Sequence, residues 1–377
     1  MPWNDVHWPT LLLLSSYERA DGELHTLLRA APPGVVPEDV LHATLMRSRV
    51  ASFRAMELAD AAAVTCDALS AAAIDVLWLK GAALAMQSPD GFAIRAMGDL
   101  DLLVEPEALA AARTALLAAG WQDGGDGAGY DAHHHAAPLV WRGGPRLELH
   151  TGVIPPPHPF VRDSAGMWLS RSVVCRWESR DVRVLPPEWH AVHVGVHWAW
   201  NHEGKVGSWQ YLHDMHALVQ AGVEWSGVKA AADEIRAARP LGWGLWSAAV
   251  LGNVRVDRRV IQELRGPSRA GLNGMAEREW VMRAFLHPAA SPSVRWSRYW
   301  WRVAMGGLGD ADMTWPWAAG RTAGSAMPVS AAEMASATDK AGADRAGASE
   351  VSGPEGGAGL LARIARWWRH LSHVLTG

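Results

Sequence analysis

Along residues 37–73 the apolar positions Leu41, Leu45, Val50, Phe53, Met56, Leu58 and Val64 recur near helical spacing, which predicts one or two helices. Pro37 followed by Glu38 and Asp39 suits the start of that segment, because proline fits a first turn and acidic groups complement the positive end of the helix dipole. The period then changes. IDVLWL at 74–79 is a short β-leaning run, Gly81 breaks it, and AALAMQ resumes as a helical piece. SPDG at 88–91 is turn chemistry, and DLDLLV at 99–104 alternates as a strand before Pro106. An Ala-rich helix is expected over 106–119, closed by Gly120. PLVWR and RLELHT on either side of GGP form a hairpin pattern. Residues 74–151 thus read β, α, β, α, β, β, a small α/β (α+β) unit with a mixed sheet.

Beyond it the pattern is mainly helical to about residue 264. PPEWHAVHVGVHWAW (186–200) opens with prolines suited to a helix start, and WQYLHDMHALVQAG (209–222) ends in a capping glycine. The segment 318–358 is rich in Ala, Gly and Ser with few large apolar groups, so it is expected to be a disordered linker. In residues 359–377, Leu360, Leu361, Ile364, Trp367 or Trp368, Leu371 and Val374 repeat at helical spacing with Arg363, Arg366 and Arg369 between them. This basic amphipathic helix suits docking on the body, a partner or a membrane surface. The expected organisation is helical over 1–73, an α/β core over 74–185, a helical region over 186–317 on the acceptor side of any cleft, the linker, and the terminal helix.

Composition narrows the class without changing this outline. The 377 residues are 49% apolar and 20% charged with a formal charge of −4, as for a soluble globular chain. The balance lacks the basic field of a general nucleic-acid binder. Cys66 and Cys175 stand alone, so neither a disulfide framework nor a thiolate zinc site is indicated, and a reducing compartment, most simply the cytoplasm, fits. The start MPWNDVHWPTLLLLSS has no basic leader or small-residue cleavage site, and no run is long enough to span a membrane. The 22 Trp residues are scattered evenly, which points to core packing.

On a strand over 99–104, Asp99 and Asp101 project to one face with Leu103, while Leu100, Leu102 and Val104 take the other. Adjacent carboxylates repel unless a cation sits between them, and a hard divalent ion is the usual solution. Spacing alone does not separate that from surface charge, since Asp21/Glu23 and Asp310/Asp312 share it. In RLELH, Glu148 and His150 share a face, so a neighbouring strand would bring a third carboxylate to the aspartates. Three carboxylates suit two Mg²⁺ ions and phosphoryl or nucleotidyl transfer. Lys80 and Gly81 sit where a strand turns into a helix, a place suited to phosphate, and Arg95 suits a bidentate phosphate contact.

Taken together, LKGAALA, IRAMGDLDLLV and LELH resemble the bacterial nucleotidyltransferase-like family of the polymerase-β-like nucleotidyltransferase superfamily, over residues 74–151. HAVHVGVHW and YLHDMHALV resemble its helical half more loosely. The resemblance implies a mixed-sheet nucleotidyltransferase core, Asp99, Asp101 and Glu148 as catalytic metal ligands, and Lys80, Gly81 and Arg95 as nucleotide-binding residues. It further implies Mg²⁺ or Mn²⁺, an NTP with ATP the expected one, and an acceptor that is a small molecule, peptide or protein. Ala82 follows Gly81 where the superfamily usually has Ser, and Glu148 stands where many relatives have Asp.

Two other readings stand beside it. One is a nucleotide-binding interaction protein on the same fold without chemistry. The other is a zinc hydrolase, because His193 and His197 are four apart on one helix face. HExxH is absent, and with 17 histidines such pairs arise readily. His150, His193, His197 and Asp214 are also candidates for the acceptor side of the cleft, and the His133 to His135 triple reads as an exposed loop.

Overall fold

The computed structural model describes residues 3, 6–93, 95–125, 135–154, 160, 164–202 and 207–266. The linker and terminal amphipathic helix expected over 318–377 lie outside these residues, as do 267–317, His133 and His134. Three helices open the chain: α1 (Trp8–Tyr17), α2 (Asp21–Arg29) and α3 (Glu38–Ala71). The expectation of one or two helices over 37–73 resolves to a single helix of 34 residues, about 50 Å long by its rise. Its first turn carries Glu38 and Asp39 behind Pro37, as expected. Val50, Phe53 and Met56, which share the helical period, are exposed. Val40 packs into a small cluster with α1 and α2, Leu58 and Leu69 pack under the sheet, and the exposed residues lie on the span between these two cores.

The sheet follows. β1 (Leu77–Trp78) leads into α4 (Lys80–Gln87); β2 (Asp99–Leu103) is followed by α5 (Leu109–Ala118); β3 (Gln122–Asp123), β4 (Leu139–Val140) and β5 (Arg146–His150) complete the region read as a small α/β unit. Gly120 closes α5 at φ +105°, a backbone region that disfavours any Cβ. The hairpin joins β4 and β5 through Arg142 and Gly143, both at positive φ, with Trp141 N–H donating to Pro145 O at 2.8 Å. Beyond α6 (Ala165–Ser170) a second hairpin, β6 (Val173–Trp177) and β7 (Arg180–Val184), joins the same sheet. Neither β3 nor this hairpin is signalled by the pattern: β3 has only two residues, and in β6 and β7 charged residues interrupt the apolar alternation.

The seven strands lie in the order β3-β4-β5-β2-β1-β7-β6, with β2/β5 and β1/β7 parallel and the other pairs antiparallel. Strand alternation splits the core in two. Trp78, Leu100, Leu102, Val104, Leu147 and Leu149 pack on one face against α3, α4 and α5. Leu77, Leu79 and Leu103 pack on the other with α7 (Pro187–Val196), α8 (Ser208–Gln220), α9 (Trp225–Glu234), α10 (Ala238–Leu251) and α11 (Arg258–Arg265). A π-helical turn, His197–Asn201, extends α7. Trp78, Trp121, Trp168 and Trp243 are fully buried, the packing role expected of tryptophan. No helix among the described residues is long and apolar enough to cross a membrane.

Candidate active site

The parallel register of β2 and β5 builds the site. It sets Asp99 opposite Arg146, Asp101 opposite Glu148 and Leu103 opposite His150. Because Leu103 belongs to the helix-covered face, Asp101, Glu148 and His150 project toward the helical region and away from α3. One ligand atom each from Asp101, Glu148 and His150 lie within 4.8 Å of one another. Asp99, expected beside Asp101 as a ligand, does not join this group. Its register partner is Arg146, and successive same-face residues on a strand are about 7 Å apart, so the triad forms around Asp101 instead.

Asp101 is buried and holds the centre. Its Oδ1 accepts from Lys80 Nζ at 2.8 Å and from His150 Nε2 at 2.9 Å. Burial pushes its carboxyl up, but the Lys80 charge and the His150 hydrogen bond outweigh that and hold it well below the usual carboxylate range. Burial likewise opposes the Lys80 ammonium, and the charges of Asp101, Asp99 and Glu148 reverse the balance, so its pKa is raised. Burial and the Asp101 charge raise the Asp99 carboxyl against the pull of Lys80, Arg19 and Arg95. Of the two aspartates, Asp101 is therefore the more strongly held in its ionised form.

Glu148 is differently placed. A quarter of its side chain is exposed, and the histidine nitrogens paired with it among the described residues, His150 Nε2 at 3.6 Å and His135 Nε2 at 4.0 Å, are beyond hydrogen-bond length. Burial, with Asp101 and Asp99 nearby, pushes its carboxyl up to about 7. His135 itself is half-buried, not exposed as its loop composition suggests, with its ring 5.2 Å from that of His150. A bridge between His135 and His150 backbones brings it there, a pairing that no local signal marks.

At the strand-to-helix turn Lys80 takes the left-handed conformation, at φ +48°. Gly81 serves a side-chain contact: a Cβ there would lie 2.6 Å from both Arg95 Cζ and the Met97 sulfur. Arg95 is correspondingly buried, and its Nε and Nη2 donate to Asp214 Oδ1 and Oδ2 at 2.5 and 3.0 Å. This bidentate pair ties the loop before β2 to α8, a link reinforced by Gln210 Nε2 donating to Ala96 O at 2.8 Å. Arg95 is thus engaged by a carboxylate, and Asp214 sits in that pair.

His193 lies on α7 and His197 opens the π-helical turn that extends it, with rings 6.1 Å apart. Among the described residues, no group of three ligand atoms within 4.8 Å includes either of them. His193 is buried, and its electrostatic neighbours include Lys80, Asp101 and His150, which puts it behind the acidic group. One turn earlier His190 is also buried, and burial lowers its pKa from 6.5 to about 4. The folded chain therefore keeps His190 neutral where the unfolded chain binds a proton. The stabilisation is complete above pH 6.5 and is lost as the pH falls toward about 4, at roughly 1.4 kcal/mol per unit and about 3 kcal/mol in all. Urea titrations across that window should show stability falling with acid, and His190→Gln should flatten the slope.

A family model described as uncharacterised nucleotidyltransferase matches residues 4–253, a span that includes every site residue named above. No curated protein and no solved structure matches the chain.

Proposed function

The chain belongs to the uncharacterised nucleotidyltransferase family, and from that premise we propose that it moves a nucleoside monophosphate from an NTP, with ATP the expected donor, to an acceptor hydroxyl on a small molecule, peptide or protein. The observation that carries this reading is the Asp101, Glu148 and His150 group on adjacent parallel strands. The two carboxylates would hold a hard divalent cation, Mg²⁺ or Mn²⁺, with His150 orienting Asp101 through its hydrogen bond, and Asp99 beside them is the candidate ligand for a second. Such a cation, when bound, supplies charge neutralisation for the reacting phosphate and leaving pyrophosphate.

The residues divide the remaining work. Lys80 holds Asp101 ionised and lies at the strand-to-helix turn, where it would meet phosphate oxygens. Asp101 is a poor proton acceptor, since Lys80 and His150 already donate to its Oδ1. Glu148, partly exposed and without a side-chain donor at hydrogen-bond length among the described residues, is the better placed base for the acceptor hydroxyl proton. In-line attack of that oxygen on the α-phosphorus forms the new ester bond and breaks the bond to pyrophosphate. His197, at the start of the π-helical turn after α7, would lie on the acceptor side, with His193 packed behind it.

The test is incubation of the full chain with labelled NTPs, Mg²⁺ or Mn²⁺ and a cell extract, following label transfer and pyrophosphate release. The wild type should transfer label and the Asp99→Ala/Asp101→Ala variant should not. Transfer that survives the double substitution would remove these carboxylates from the mechanism. Nucleotide binding without pyrophosphate release would favour a binding protein on the same fold, which the engagement of Arg95 by Asp214 also suits.

A further inference from the structure

The cations so far placed at the site are already committed. Lys80 is bound to Asp101, and Arg95 is locked to Asp214. The β- and γ-phosphates of a nucleoside triphosphate extend away from the reacting α-phosphate, so they need a partner beyond the carboxylate-held cations and Lys80. Arg19, which no sequence motif marks, is placed to provide it.

Arg19 lies in the connection between α1 and α2. Helix α1 ends in a Schellman arrangement: Ala20 N–H donates to Ser15 O at 2.8 Å and Arg19 N–H to Ser16 O at 3.2 Å, with Arg19 at φ +56°. Glycine is the usual residue there; Ala73 and Arg236 show the same backbone region after other helices, so the conformation alone carries no function. The direction of the side chain does. The Arg19 guanidinium lies against Gly98, where a Cβ would come within 2.9 Å of its Cζ, and its charge acts on the adjacent Asp99. Arg19 is exposed and has no ion pair or side-chain hydrogen bond among the described residues. Its backbone is nonetheless held in place. The preceding Glu18 is largely buried and its carboxylate accepts from Trp209 N–H at 2.9 Å, capping the start of α8.

We propose that Arg19 is a nucleotide-binding residue contributed by the N-terminal helices, whose guanidinium takes the β- and γ-phosphates of the NTP at the mouth of the site. This rests on the nucleotidyl-transfer reading and extends it: the N-terminal region completes the donor site and sets its preference for a triphosphate over a monophosphate. Arg146, the exposed guanidinium across from Asp99 in the strand register, is the comparison for a general charge effect.

The test is equilibrium binding of ATP and AMP, each with Mn²⁺, by titration calorimetry on the full chain. Arg19→Ala should weaken ATP about tenfold and AMP less than about twofold, the loss of one charge-assisted phosphate contact. Arg19→Gly should lose ATP affinity equally while its melting temperature is unchanged or higher, because glycine suits φ +56°; this separates binding from folding. Equal weakening of ATP and AMP, an unchanged ATP affinity, or the same loss in Arg146→Ala would overturn the assignment of Arg19 and leave the nucleotidyl-transfer reading standing. A wild-type chain that binds no ATP would overturn both.

Discussion

Asp101→Asn is expected to lower nucleotidyl transfer about 10³-fold with the fold intact. Asparagine keeps an oxygen where Lys80 Nζ and His150 Nε2 now donate, so the local hydrogen bonds survive. The negative charge does not. Asp101 is the member of the triad held ionised, and the cation site depends on that charge. Removing one preorganised electrostatic element of an active site typically costs about 10² to 10³ in rate, and a lost metal charge partner belongs at or above the upper end. The measurement is single-turnover label transfer at saturating Mn²⁺, with circular dichroism as the folding control. Activity within about tenfold of wild type would show that the cation is held without Asp101, and the triad geometry would lose its mechanistic meaning.

The second large effect is on stability. Arg95→Ala or Asp214→Ala should each destabilise the protein by about 3–5 kcal/mol, because each leaves an uncompensated charge in a nearly dry place. The side chains are 9% and 5% exposed, so solvent cannot take over the lost partner. Replacing both with apolar groups of similar volume, Arg95→Met with Asp214→Leu, should recover most of the loss. Urea denaturation of the two single variants and the double variant forms the cycle. If the double variant is as unstable as the sum of the singles, the pair is uncoupled and does not hold the loop before β2 to α8. The same cycle bears on function: the loop it fixes leads directly into Asp99 and Asp101.

Much of the architecture is legible in the chain because it rests on local periodicity. The alternation of DLDLLV sends Asp101 to one face and Leu100 and Leu102 to the other, and the buried clusters follow that division. The alternation of RLELH does the same for Glu148 and His150, so two carboxylates and a histidine on a common face follow once the strands are neighbours. The β6/β7 hairpin escaped because its strands carry charge on both sides of the apolar positions and sit at an edge of the sheet. The exposure of Phe53 and Met56 escaped for a related reason: periodicity identifies a helix face but not which stretch of a long helix has something to pack against.

Side-chain partners were the less legible part. Lys80 and Gly81 stand out as a phosphate turn, but nothing local shows that Gly81 is kept small by the side chains of Arg95 and Met97. Arg95 looks like a free phosphate ligand until α8 places Asp214 against it. Arg19 has no motif around it; its place at Gly98 depends on Glu18 capping a helix that begins 190 residues later in the chain.

The sequence by itself determined most of the helices, the two strands that carry the site, the family-bearing motifs and the face on which each acidic residue lies, since each depends on spacing over a few residues. The tertiary structure alone decided which carboxylates share a site and which cations are spent. Asp101 meets His150 across 49 residues, and Arg95 meets Asp214 across 119. Parallel register set one meeting and helix docking the other, and neither is encoded within any single segment.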